Sequence, residues 1–519
     1  MTTATLSETR TATLTRPDHE VIIVGTGFSG LGMAIKLKQE GIDDFIVIEK
    51  ADSVAGTWRE NTYPGCACDV PSHMYSFSFE PNPDWTSMYA PQQEIRDYLE
   101  DVADKYQLRP HIRFHTRAVS AEWDAEAGLW RCVGEGPGGR QELTARFLVS
   151  GIGGLHIPAK PNLPGLESFD GAVFHSAYWN HDYDLEGKRV AVVGTGASAI
   201  QFVPEIAKQV EQLDLYQRTA PWVLPKLDRR IPRFERRLYR RFPFLQRTYR
   251  HGLYWFLESV MFRAIHSKRF GRLYEGLGRR NLRKQVSDPV KRAKLMPNYE
   301  FGCKRLLMSN TYYEALDRPN ADVITDGIAE VRSGSIVAGD GTEREIDAII
   351  LGTGFDIAAL GSSVDIRGES GVPLSQVWAA EGMEAHRGMM LAGFPNLFML
   401  LGPNTGLGHN SVVFMVERQI SIALQAMERA RREDAAIAPT AAAQVAYNDR
   451  IQEKLDRSVW SRSCKNWYLD ARGRNITLWP HETWRYALEM RKLKPEEYEL
   501  VAREAAERET EPEPVAVAA

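Results

Sequence analysis

The sequence of 519 residues has no apolar run long enough to cross a bilayer; the longest, around Tyr254 to Ile265, is broken by Glu258 and Arg263. Residues Met1 to Glu20 are rich in threonine and hold no apolar stretch of signal-peptide type. Cysteine is scarce. Cys66, Cys68, Cys132, Cys303 and Cys464 form no C-x-x-C pair and no metal-ligand spacing, so neither a redox dithiol nor a metal site is expected. Without a secretion signal all five read as free thiols, and the chain as cytoplasmic. A strong charge of one sign is missing too: the formal net charge of -4 gives no reason to expect nucleic acid as a partner. What is present, 43% hydrophobic and 25% charged residues, is the balance of a globular chain. Its length exceeds one hydrophobic core and predicts two or three domains.

Two segments share one pattern. Glu20 to Val24 is a short apolar strand that enters Gly25-Thr-Gly-Phe-Ser-Gly30, followed by helical spacing through Glu40 and a second strand, Asp44 to Glu49. The order recurs with Arg189 to Val193, Gly194-Thr195-Gly196-Ala197-Ser198-Ala199, a helix, and Gln212 to Tyr216. Strand, tight glycine turn, helix and strand make a βαβ dinucleotide unit, and two copies are a far stronger signal than one. Gly25 and Gly194 permit the turn, Gly27 and Gly196 let backbone approach a pyrophosphate, and Gly30 and Ala199 allow close helix packing. The helix start then offers free N–H groups to phosphate. The fold class is therefore α/β, with two Rossmann-like dinucleotide-binding domains. Strand endings at Phe147 to Gly154 and Ala348 to Phe355 mark where the chain leaves each one. The expected division is a disordered leader (1–18), a first domain in two segments (19–154 and 356–502), and a second (155–226 and 300–355). A helical insertion (227–299) and a disordered tail (503–519) complete it.

The end of each second strand distinguishes the ligands. Glu49 stands 24 residues after Gly25 and Arg218 stands 24 after Gly194, with Thr219 next. A carboxylate at that offset accepts hydrogen bonds from a ribose 2′-OH and repels a 2′-phosphate, whereas arginine grips the phosphate. FAD is expected at the first site and NADPH at the second. With no cysteine pair and no cluster to receive electrons, O2 is the simplest final acceptor.

At this point the chain resembles the Baeyer–Villiger monooxygenases, among the class B flavin monooxygenases. Phe169-Asp-Gly171-Ala-Val-Phe-His175-Ser-Ala-Tyr-Trp179-Asn180 resembles the family signature F-x-G-x-x-x-H-x-x-x-W-(P or D), departing only at Asn180. Ala55 to Asp69 fits the pattern (A or G)-G-x-W-x(4)-(F or Y)-P-G-x(3)-D at each fixed position. Phe301 to Arg305 resembles the segment with the family's active-site arginine, and Gln217 to Trp222 its NADPH-phosphate segment. The likeness runs from about Val21 to Trp484. It implies that Arg305 stabilises the anionic peroxyflavin and the adduct formed with a ketone, and also belongs to the NADPH set. Asp69 orients Arg305 and joins the FAD set, and Lys304 joins Arg218 and Thr219 on the 2′-phosphate. Thr57, Trp58, Tyr75, Val119 and Val412 complete the FAD set, while His175 and Trp179 sit in the linker and couple NADPH binding to closure. Leu401 to Gly406 resembles the lead into a helix, running through Met427, whose N-terminus faces the flavin.

The implied substrates are O2 and a small hydrophobic ketone, in a monomer or small homo-oligomer. Two other readings stay open: N- or S-oxygenation, and a non-catalytic NADPH-sensing flavoprotein. From Arg229 to Lys294 basic residues outnumber acidic ones about five to one. Either a helical subdomain carries solvated arginines, or an amphipathic patch touches anionic membrane. Leu253, Trp255 and Phe256 would face the core in the first case and lipid in the second.

Overall fold

A computed structural model describes residues 16–502; the expected tail and residues 1–15 of the expected leader lie outside that range. Asp18, counted in the leader, is instead tied to the sheet, accepting from the Thr144 N–H at 2.8 Å. Two Rossmann-like α/β units hold most of the chain. In the first, strand His19–Val24 pairs in parallel with Phe45–Ile48 on one side and Gly139–Ser150 on the other. Strands Arg117–Asp124 and Leu129–Gly136 extend this sheet antiparallel, and Asp365–Arg367 and Leu397–Met399 join it from later in the chain. The second sheet is wholly parallel, in the order Ala321–Ile324, Gln212–Tyr216, Arg189–Val193, Ala348–Leu351, Ala172–His175. Its near-continuous Val, Ile and Leu content is what a sheet covered on both faces requires, and Val190, Ala191, Ile349 and Ile350 are fully buried.

Between strands Gln212–Tyr216 and Ala321–Ile324 of the second unit runs the helical insertion: Arg233–Arg241, Pro243–Phe256, Phe262–His266, Lys268–Gln285 and Pro289–Lys294. Pro243 and Pro289 each open a helix, where a missing N–H costs nothing. One turn, Leu257–Met261, is π-helical and turns the Glu258 side chain into the core. Of the three apolar residues that discriminate the two readings of this segment, Leu253 is half-buried while Trp255 and Phe256 are exposed.

The expectation of five free thiols needs correction. Cys303 and Cys464 form a disulfide across 161 residues of sequence, so only Cys66, Cys68 and Cys132 are free, all buried. Spacing could not show this, because the two residues meet only where the loop before Leu307–Met308 touches the segment after Val459–Arg462. The helix expected beyond Gly406 and through Met427 begins at Val412 and continues to Arg432. Its cap is Ser411, whose Oγ accepts from the Val413 N–H at 3.3 Å. Among the described residues no helix is long and apolar enough to cross a membrane.

Candidate active site

The two glycine turns separate residues the fold needs from residues it does not. A Cβ built on Gly25 would lie 2.9 Å from the Gly151 carbonyl oxygen, and one on Gly194 would lie 2.4 Å from that of Gly352. On Gly30 it would lie 1.8 Å from the Gly25 oxygen. Gly27 and Gly196 are different: the nearest atoms to a Cβ there would be 4.0 and 3.9 Å away, so the protein's own atoms leave room for a side chain at both. Space kept free at the mouth of a glycine turn is the cradle a pyrophosphate fills. Thr195, Ala197 and Ser198 form the rest of the second turn, and Thr195 donates to the Thr219 carbonyl at 3.3 Å.

Glu49 is buried at the end of its strand. Its carboxylate accepts from the Thr26 N–H and hydroxyl at 3.0 and 2.5 Å and from the Ala51 N–H at 3.0 Å. Arg59 pairs with it at 3.3 Å. Arg59 is a site residue that sequence reasoning passed over, because it falls at an unfixed position of the Ala55–Asp69 motif. Val119 stands half-buried on Arg117–Asp124, just after Thr116, whose N–H donates to the Glu49 carbonyl at 2.9 Å. Arg218 is exposed at the matching strand end of the second unit. Lys304 is half-buried above the Tyr299 ring at 5.0 Å; burial first, then the Arg218 charge, pull its pKa below the usual lysine value.

The Ala55–Asp69 motif is the seam between the units. Thr57 opens the short helix Thr57–Glu60, and Trp58 donates from Nε1 to the Tyr75 hydroxyl at 3.2 Å. Tyr63 donates to Gln201 of the second unit at 3.0 Å, and Gln201 donates to the Ala67 carbonyl at 3.0 Å. At the end of the motif Asp69 accepts from Arg305 Nε at 2.9 Å and Nη2 at 2.6 Å, a forked ion pair. The Asp69 charge raises the Arg305 pKa further above its already high value, against burial. A third of the arginine side chain stays accessible, and Nη1 lies 3.5 Å from the Leu407 carbonyl, in the turn leading to Val412. Val412 itself is half-buried against the main core.

The Arg305 loop is fastened from outside. Besides the Cys303–Cys464 bond, Asn466 donates to the Cys303 and Trp460 carbonyls at 3.2 and 2.8 Å, and its Oδ1 accepts from the Tyr468 N–H at 3.0 Å. Tyr468 is buried and interacts electrostatically with Arg305; burial pushes its phenol pKa up. Behind the loop, Glu258 accepts from His409 Nε2, Asn410 Nδ2, and the Thr483 N–H and hydroxyl, at 3.1, 2.6, 2.9 and 2.6 Å. Neither Tyr468 nor Glu258 sits in a local motif, so no sequence signal marks them.

The Phe169–Trp179 signature stays apart from this cluster, on the edge strand of the second sheet. A Cβ on Gly171 would lie 2.4 Å from the Asp347 carbonyl oxygen, and Phe169 is buried beside it. His175 accepts from the Ala177 N–H at 3.0 Å, and burial lowers its pKa. Trp179 packs on Phe174 and Phe202, with ring centroids 5.2 and 5.3 Å apart. Asn180 Oδ1 accepts from the Asp182 N–H at 3.1 Å, a turn bond that an aspartate could also make.

Residues 18–297 match the model of the flavin-binding monooxygenase-like family. The chain belongs to that family. It is 52% identical to a Baeyer–Villiger monooxygenase of Pseudomonas aeruginosa over 93% of this chain and 91% of that one. A Baeyer–Villiger monooxygenase of Streptomyces coelicolor is 46% identical over 93% and 92%. Among solved structures, cyclohexanone monooxygenase from Rhodococcus sp. Phi1 bound to NADP+ superposes with a TM-score of 0.83, at 26% identity over 93% of this chain and 99% of that one. An oxidized steroid monooxygenase bound to NADP also gives 0.83, at 28% identity over 94% and 100%. The chain is thus a flavin-dependent monooxygenase of the Baeyer–Villiger type, an oxidoreductase.

Proposed function

We propose that this monooxygenase reduces its FAD with NADPH and uses O2 to insert one oxygen atom beside a ketone carbonyl, giving an ester or lactone, water and NADP+. The first sheet holds FAD. Glu49 already carries a hydroxyl donor, that of Thr26, and a ribose 2′-OH is the same kind of donor. The space at Gly27 admits the pyrophosphate, and Trp58 and Tyr75 flank the flavin side. The second sheet holds NADPH, with the 2′-phosphate between Arg218, Thr219 and Lys304. Burial, and then the neighbouring Arg218 charge, disfavour the Lys304 cation, and a dianion between the two relieves both.

When bound, the flavin supplies the activated oxygen; the chain binds, orients and excludes water. The forked Arg305–Asp69 pair carries the ketone reading. Attack on a carbonyl carbon develops negative charge on the carbonyl oxygen, and a cation fixed in advance stabilises that charge at no cost in reorganisation. An amine or sulfide presents no such oxygen. Asp69 uses one carboxylate oxygen for both contacts, so Nη1 is left to the Leu407 carbonyl. The test is NADPH oxidation against a ketone panel, with product mass and hydrogen peroxide read together. The expected product is one oxygen heavier than the ketone. Peroxide alone with every ketone, or oxygenation confined to amines and sulfides, would overturn the reading.

A further inference from the structure

The outer face of the helical insertion is unlike the rest of the surface. Every phenylalanine exposed among the described residues lies there: Phe234, Phe242, Phe244, Phe256 and Phe270. Phe244 and Trp255 are 61% and 55% exposed, and their spacing of eleven residues, three helical turns, puts them on one side of Pro243–Phe256. On Lys268–Gln285 the exposed Phe270, Leu273 and Leu277 follow an i, i+3, i+7 stripe, while Gly271, Gly278 and Leu282 face inward. An apolar stripe of this kind normally marks the buried side of a helix; here a second stripe points out.

The charge on the same segment is as uneven. Residues 229–294 hold 20 lysines and arginines against four acidic residues, whereas the whole chain holds 64 against 68. The remainder therefore has 44 basic and 64 acidic residues, a net -20 against +16 for the insertion. Exposed Arg237, Arg241 and Arg247 stand among the aromatics of the first two helices, and Arg269, Arg272 and Arg280 flank the stripe on Lys268–Gln285. Apolar side chains ringed by arginine suit a surface that is apolar beneath and anionic above.

We propose that this face docks on an anionic phospholipid bilayer, its aromatics entering the headgroup boundary and its arginines meeting lipid phosphates. A second copy of the chain is a poorer fit, because it would bring +16 against +16. The acidic remainder is repelled by the same bilayer, which fixes the orientation: insertion toward lipid, the two sheets away from it. The inference is independent of the reaction assigned above.

Flotation of the holoprotein with phosphatidylglycerol–phosphatidylcholine vesicles, against phosphatidylcholine alone, at low and high salt, tests it. The chain should float with the anionic vesicles at low salt, about tenfold less at high salt, and little on neutral vesicles. The paired change Phe244→Ser with Trp255→Ser should abolish most of the flotation while flavin absorbance and elution volume stay unchanged. Phe270→Ser with Leu273→Ser, on a separate helix, should act likewise. No flotation on anionic vesicles, equal flotation on neutral ones, or full flotation of both paired variants would overturn the proposal. So would a wild-type dimer that these changes dissociate and that ignores vesicles.

Discussion

The two glycine turns are built on one plan and finished differently. Both press a glycine of positive φ against the carbonyl of a later glycine, Gly25 on Gly151 and Gly194 on Gly352. Both lead to a strand whose end carries the residue proposed to read the ribose. In the first unit the helix starts at once, at Phe28, so Gly30 lies within its first turn and almost touches Gly25. In the second it starts at Ala199 itself, two residues later in the pattern, and a methyl group fits. The strand ends differ more. Glu49 is 3% exposed and held by Thr26, Ala51 and Arg59, while Arg218 is open to solvent beside another cation. The first end is closed off from solvent and the second is open to it, as the proposed resident FAD and exchanging NADPH require.

The severest test of this contrast is Gly30→Ala. Its methyl group has no space, so the variant should be recovered without flavin or not folded, read by absorbance and circular dichroism of the purified protein. A yellow, fully loaded variant would erase the distinction between the turns. Next in size is Arg305→Ala, which removes the forked ion pair with Asp69. Ester formation should fall ~10²–10³-fold while flavin stays bound and electrons leave as hydrogen peroxide. Near wild-type ester yield would sink the proposed role. Arg218→Ala should weaken NADPH by roughly tenfold or more, the worth of a charged hydrogen bond, and leave NADH unchanged; equal losses for both would make Arg218 structural. Smallest is Ala199→Gly. It gives the second turn the residue of the first and should cost about 1 kcal/mol or less, the helix propensity difference, in denaturant unfolding.

What could be read from the sequence was local. Each turn, its strands and the residue at the strand end fall within about thirty consecutive positions, where glycine spacing and apolar periodicity carry the geometry. Asp69 and Arg305 lie 236 residues apart, and only the resemblance to a known family joined them in advance. Cys303–Cys464 and Glu258–His409 had no such help. Each is created by loops that meet in space, and a lone cysteine or a glutamate inside an apolar run gives no sign of its partner. The exposed aromatics of the insertion were ambiguous for another reason: helices apolar on both faces show the same periodicity whether the second face is covered or bare.

The Glu258 cluster carries one more consequence, for behaviour in acid. Burial alone would raise this carboxyl, but the His409 hydrogen bond and charge, with Thr483 and Asn410, hold it below the usual range. A folded value lower than the unfolded one means that the ionised group stabilises the native chain above about pH 4.3, and that this share is lost as pH falls through the lower value. Since the donors come from the turn before Val412 and from Thr483, while the carboxylate comes from the insertion, protonation loosens that junction in particular. Glu258→Gln should therefore be less stable than wild type at neutral pH and converge with it in acid unfolding. A stability gap of undiminished size at about pH 3 would show that the charge is not what holds the insertion in place.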